Sequence, residues 1–96
     1  MIVNIYSMFD KKAIRYLPPF FMQTDGMAER GIFDNLRQPG AQDAELWVHA
    51  SDFALHSIGT FDDETGEIQP MAPICVCEVV SVKEAVKRLH NEGGYS

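Results

Sequence analysis

The sequence predicts an α+β domain, a small mostly antiparallel sheet with two helices packed on it in the order β-α-β-β-β-α. Three observations lead there. Apolar residues recur at helical spacing in two separate stretches, after Thr24 and after Ser81. Short apolar runs at Ile2–Phe9 and Ile74–Val80 read as strands. Between them Phe53–Met71 carries a hairpin signal, two apolar runs around Asp63-Glu64-Thr65-Gly66. The 96 residues form a single domain, 1–96, of a size that gains from oligomerisation, so a homo-oligomer is expected.

Ile2–Phe9 places Val3, Ile5 and Phe9 on one face and Ile2, Tyr6 and Met8 on the other. Both faces are mostly apolar, which suits a strand inside a sheet rather than at its edge. Asp10-Lys11-Lys12-Ala13 then turns the chain into a short polar segment. No helix passes Tyr16-Leu17-Pro18-Pro19, because each proline lacks an N–H and forces its predecessor out of the α region. Phe20 and Phe21 follow directly; one packing inward, base stacking, and contact with a second subunit are the readings open to them.

Thr24 is the expected N-cap of the first helix, with Asp25 favourably placed against the dipole in its first turn. Ala28, Ile32, Phe33 and Leu36 give the buried stripe, Gly31 is a candidate for close approach to the sheet, and Pro39-Gly40 stops the helix. Ala41–Asp52 reads as a loop with an apolar insert, Leu46-Trp47-Val48, whose tryptophan is an expected core or interface anchor.

In the hairpin, Phe53, Leu55, Ile58 and Phe61 form the outgoing strand, and Gly66 supplies the positive φ that the turn requires. Asp63 is expected to accept the turn amides, and Pro70 to end the pairing after Glu67-Ile68-Gln69. Ile74–Val80 is then a third strand of this half. Ser81-Val82-Lys83-Glu84 reads as a capping box, Val82, Ala85, Val86 and Leu89 as the apolar stripe of the second helix, and Gly93-Gly94 as its release.

Composition excludes several functions. Hydrophobic and charged fractions of 46% and 23% are those of a globular chain, so a disordered adaptor is not expected. The apolar runs are too short to span a bilayer and the first residues lack a signal-peptide pattern, so a soluble intracellular protein without a membrane partner is expected. Net charge of −6 is the wrong sign for wrapping duplex DNA by bulk attraction. The cations nevertheless gather locally, as Lys11, Lys12 and Arg15 and again as Lys83, Lys87 and Arg88.

Chemistry-bearing patterns are sparse. Cys75 and Cys77, two apart on a strand, should face the same side as reduced thiols. No phosphate-cradling glycine loop and no nucleophile elbow is present, and His49, His56 and His90 are scattered, with His56 read as a surface or cross-strand residue. The acidic stretch Asp62–Glu67 lacks calcium-loop spacing. No enzyme activity, catalytic residue, metal site or cofactor is expected.

One resemblance stands on particular residues. Asp10-x-x-Ala13-x-x-Tyr16-Leu17-Pro18-Pro19-Phe20-Phe21, then a helix, then His56-Ser57-Ile58-Gly59-Thr60-Phe61-Asp62-Asp63-Glu64-Thr65-Gly66-Glu67-Ile68, resembles the small non-structural protein of gokushovirus-type phages, the tailless single-stranded-DNA phages of the Microviridae. It covers Ile2 to about Val80. The resemblance implies a phage protein made in the host cytoplasm and absent from the mature virion. It further implies DNA binding or a role in genome replication and the switch to single-strand synthesis and packaging, and it brings no catalytic residues.

Two functions follow as expectations. In a single-stranded-DNA-binding protein, Lys11, Lys12, Arg15, Lys83, Lys87 and Arg88 contact phosphates while Tyr16, Phe20 and Phe21 stack bases. In an acidic interaction module, the tip and exposed apolar residues engage phage or host proteins without touching DNA. Gathering of Lys11, Arg15, Lys83 and Lys87 beside Phe20 or Phe21 would favour the first, and dispersal the second.

Overall fold

The computed structural model describes residues 1–91. It contains an antiparallel sheet of five strands with helices on one side. The strands are β1 (Ile2–Asp10), β2 (Arg15–Tyr16), β3 (Phe20–Met22), β4 (Phe53–Asp62) and β5 (Ile68–Glu78). The helices are α1 (Asp25–Leu36), the single turn α2 (Glu45–Val48) and α3 (Val79–Asn91). The α+β class therefore holds, and β1 is the interior strand its two apolar faces predicted. It pairs with β4 along one edge, and along the other with β2 through Phe9 and Asp10 and with β3 through Asn4, Ile5 and Tyr6.

The core lies between the sheet and the helices. Tyr6 and Met8 of β1 and Phe53 and Leu55 of β4 meet Ala28, Ile32 and Leu36 of α1 and Val79, Val82 and Val86 of α3. Thr24 caps α1 as predicted, its side chain accepting from the Met27 amide. The Tyr6 hydroxyl, on a fully buried ring, donates to Asp25 Oδ1 at 2.6 Å and so ties the start of α1 to the central strand. Burial and then the Asp25 carboxylate push the Tyr6 phenol up to about 12, which keeps it a donor.

The hairpin differs from its sequence reading. Pro70 does not end the pairing, and Ile74–Val80 is not a separate strand, because β5 runs unbroken from Ile68 to Glu78. The Asp62 amide donates to Glu67 O, so hydrogen-bonded pairs fall at 62/67 and 60/69. Pro70, opposite Gly59, then lies at a position whose missing N–H would face away from β4, at the outer edge. Gly59 is the glycine that a close approach demands: a Cβ there would sit 2.6 Å from the Gln69 carbonyl oxygen. Gly31 is not, since a Cβ there would enter open space.

Gly66 adopts φ +77° as the turn requires, and its amide donates to Asp62 O at 2.7 Å. The carboxylate that accepts a turn amide is Asp62, from Glu64 N, rather than Asp63, which pairs with the Met1 ammonium. A bulge between Leu55 and His56 pairs Cys75 with His56 and Cys77 with Leu55. Successive β4 residues point to opposite faces, so the two cysteines do not share a side as predicted. Both are free, and burial pushes the Cys77 thiol up to about 12.

Helix α3 starts at Val79, directly after β5, so Ser81 lies within the first turn and is not the N-cap of a capping box. Val79, Val82 and Val86 form the buried stripe, and burying Val79 pulls the helix start upstream of the serine. The predicted loop Ala41–Asp52 instead contains 3-10 turns at Ala41–Asp43 and Ala50–Asp52 around α2. Trp47 packs half-buried against the core, as an anchor should. The predicted release at Gly93-Gly94 lies outside the described residues.

Candidate nucleic-acid interface

The side of the sheet away from the helices carries aromatic rings. Alternation along β1 sends Tyr6 and Met8 to the helices and Val3, Ile5, Ser7 and Phe9 to the opposite side. Pairing adds Tyr16 of β2 opposite Phe9, Phe21 of β3 opposite Ile5, and His56 and Phe61 of β4 opposite Ser7 and Val3. These rings form two groups that bridge β1. Phe9 lies 4.7 Å from Tyr16 and 5.1 Å from His56, and the Tyr16 hydroxyl meets His56 Nδ1 at 2.8 Å. Phe21 and Phe61 meet edge to face at 5.6 Å.

This arrangement explains why residues on a side without helices are buried. Ile5 is 6% exposed between the Phe21 and Phe61 strands, and Ser7 is 1% exposed, its hydroxyl donating to Leu17 O at 2.6 Å. The outer surfaces of the rings remain in solvent, with Phe21 48% and Tyr16 43% exposed. A sheet face with partly exposed rings can stack flat, apolar groups such as nucleobases.

Lys11, Lys12 and Arg15 lie at one end of the sheet, in and just after the β1–β2 turn. The Asp10 carboxylate accepts from the amides of Lys12 and Ala13 and fixes the turn. Lys11 forms an ion pair with Glu78, which holds the glutamate below its ordinary range, and Cys75 donates to the same carboxylate at 3.5 Å. The opposite end carries the acidic β4–β5 turn.

Of the nine residues singled out in the sequence, Arg15, opposite Asp10, turns toward the helix side, Lys12 lines a groove there with Glu45, His49 and Asp52, Lys11 pairs with Glu78 at the end of the face, and Tyr16 and Phe21 belong to it. Phe20 does not, because it faces the helices and stacks on Tyr6 at 5.8 Å. Lys83, Lys87 and Arg88 lie on α3, in the layer across the sheet. Lys83 donates to Trp47 O at 2.9 Å and sits over the Trp47 ring, and Lys87 pairs with Glu84. Arg88 lines a groove of about 560 Å³ between α1 and α3 with Arg30, Phe33 and Asp34. The predicted cations are therefore divided between two sides of the molecule.

Sequence reasoning missed Phe9, His56 and Phe61 as members of the face. Each sits on a strand, but which rings meet depends on register, and the irregularity in β4 at Ile58 breaks the simple alternation that would have revealed it. It also missed Ile14, which follows Ala13 in the basic turn and has φ +57°. Among the described residues no group of three or more His, Cys, Asp and Glu is arranged to hold a metal ion, and no helix is long and apolar enough to cross a membrane.

No curated protein and no solved structure matches this chain significantly. A family model does, from β1 through the first turn of α3. It is described as phage ORF5 protein and matches residues 3–82, so the chain belongs to the phage ORF5 protein family.

Proposed function

We propose that this phage protein is a non-enzymatic single-stranded-DNA-binding protein of the gokushovirus type, acting in the host cytoplasm in genome replication or the switch to single-strand synthesis and packaging. The observation that carries this reading is the placement of Phe9, Tyr16 and His56 at the same sheet end as Lys11, Lys12 and Arg15. Rings that stack any base, beside cations that meet phosphate, suit a strand whose sequence is not read. The net charge of −6 works against attraction by the molecule as a whole, so contact depends on local cations. The acidic tip at the far end would keep a bound strand on the basic half. Lys83, Lys87, Arg88 and Phe20 have no part in this reading.

Titration of a labelled oligothymidylate at low salt tests it. Three phosphate contacts give a log K against log salt slope of about −2. Tyr16→Ala should weaken binding roughly tenfold. Absence of binding, or binding unchanged when Lys11, Lys12 and Arg15 are all replaced by alanine, would sink the proposal.

A second reading, an acidic module that engages phage or host proteins, is supported by the dispersal of the α3 cations and by the outer hairpin strand. Ile68–Cys75 of β5 is exposed throughout, including Ile68, Met71 and Ile74. Capture of a defined phage protein by the wild type, abolished when those three are replaced by serine while oligonucleotide binding never appears, would favour it.

A further inference from the structure

Ile14 combines features that seldom occur together. It is a β-branched residue at φ +57°, a region that costs L-residues free energy and that its branched side chain suits least. It is also 76% exposed, the most exposed of the large apolar residues described. Its strained backbone therefore goes with a side chain that buries little of its own surface. The turn around it is fixed rather than loose, because Asp10 accepts from the Lys12 and Ala13 amides, the Lys11 amide donates to Asp52 O, and Tyr16 pairs with Phe9 immediately afterwards. Lys11, Lys12 and Arg15 surround it in sequence.

We propose that Ile14 is an apolar wedge that packs against or between nucleobases of a bound single strand, while Lys12 and Arg15 hold the flanking phosphates. The inference rests on the single-stranded-DNA reading and extends its surface from the ring group at Tyr16 onto the turn. Charge complementarity selects the occupant: Lys11 is already paired with Glu78, but Lys12 and Arg15 make no ion pair among the described residues, and two such cations on either side of Ile14 favour a polyanion. Apolar side chains that insert between base steps are a known device of proteins that grip DNA by its backbone. A lipid surface offers the same signs, but a single isoleucine buries too little apolar area to hold a bilayer.

The strain makes the test sharp, because function and fold pull in opposite directions at this position. Ile14→Gly removes the side chain and relieves the left-handed backbone, so its melting temperature should equal the wild type's or exceed it by up to about 4 °C. Its affinity for a labelled oligothymidylate should nevertheless fall about tenfold. Ile14→Leu, which keeps an apolar side chain, should bind like the wild type. Equal affinity of wild type and Ile14→Gly would overturn the wedge, as would a parallel loss in Ile14→Leu. A wild type that binds no oligonucleotide would instead overturn the DNA reading on which the wedge rests. Sedimentation with phosphatidylserine vesicles, lost in Ile14→Gly while oligonucleotide binding is kept, would overturn it in favour of a membrane contact.

Discussion

The β1–β2 turn and the β4–β5 turn close two ends of the same sheet, and each places one residue in the left-handed region. In the β4–β5 turn that residue is Gly66, at φ +77°, and Asp62 accepts the local amide. In the β1–β2 turn it is Ile14, at φ +57°, and Asp10 accepts two amides. Acids crowd the β4–β5 turn and cations the β1–β2 turn. A glycine satisfies the backbone and nothing more, so the acidic turn reads as a structural device. An exposed isoleucine satisfies the backbone badly, and the basic turn is where a demand other than folding shows.

The largest effect that would separate the two ends comes from Gly59, which lies between Ile5 of β1 and Pro70 of β5 in the half of the sheet nearer the acidic turn. Gly59→Ala drives a Cβ into the Gln69 carbonyl and should destabilise by about 3 kcal/mol. Chemical denaturation would read that loss. An alanine variant as stable as the wild type would mean that β4 and β5 can move apart at this point without loss.

Next in size is the pair of left-handed residues themselves. Gly66→Ala should cost about 1 kcal/mol or slightly more, whereas Ile14→Gly should cost nothing. The same melting experiment on both variants gives the comparison its clearest form: opposite signs sharpen it, and equal losses break it.

The smallest effect concerns the ion pair beside the basic turn. Lys11 holds the Glu78 carboxyl below its ordinary range, so the folded state favours the ionised form. A depressed folded value contributes stability above the unfolded value and loses it as pH falls through the folded one. Wild type should therefore lose slightly more thermal stability than Glu78→Gln between pH 7 and pH 3. The difference is small because both side chains are substantially solvated. At neutral pH, Glu78→Gln also frees Lys11, and oligonucleotide affinity should rise by roughly twofold.

Much of the fold was legible in the sequence. Thr24 as a cap, the Ala28, Ile32 and Leu36 stripe, Gly66 in its turn and the interior position of Ile2–Phe9 are all set by local chemistry: a hydroxyl near free amides, a repeat of 3.6, a missing Cβ, apolar residues on both faces of a strand. Where the reading failed, the deciding partner was distant. Pro70 looks like a strand breaker until the strand is known to lie at an edge. Ser81 and Glu84 look like a cap until Val79 is seen to be buried.

The candidate site divides in the same way. The sequence by itself determined that Lys11, Lys12, Arg15 and Tyr16 stand together, since they are neighbours along the chain, and that the 62–67 tip is acidic. Only the tertiary structure decided that Phe20 turns inward while Phe21 stays out, that Phe9 and His56 join Tyr16, and that the α3 cations lie on the other side of the sheet. Strand register and layer order are long-range choices, fixed by which faces bury together. No short stretch of residues contains that information.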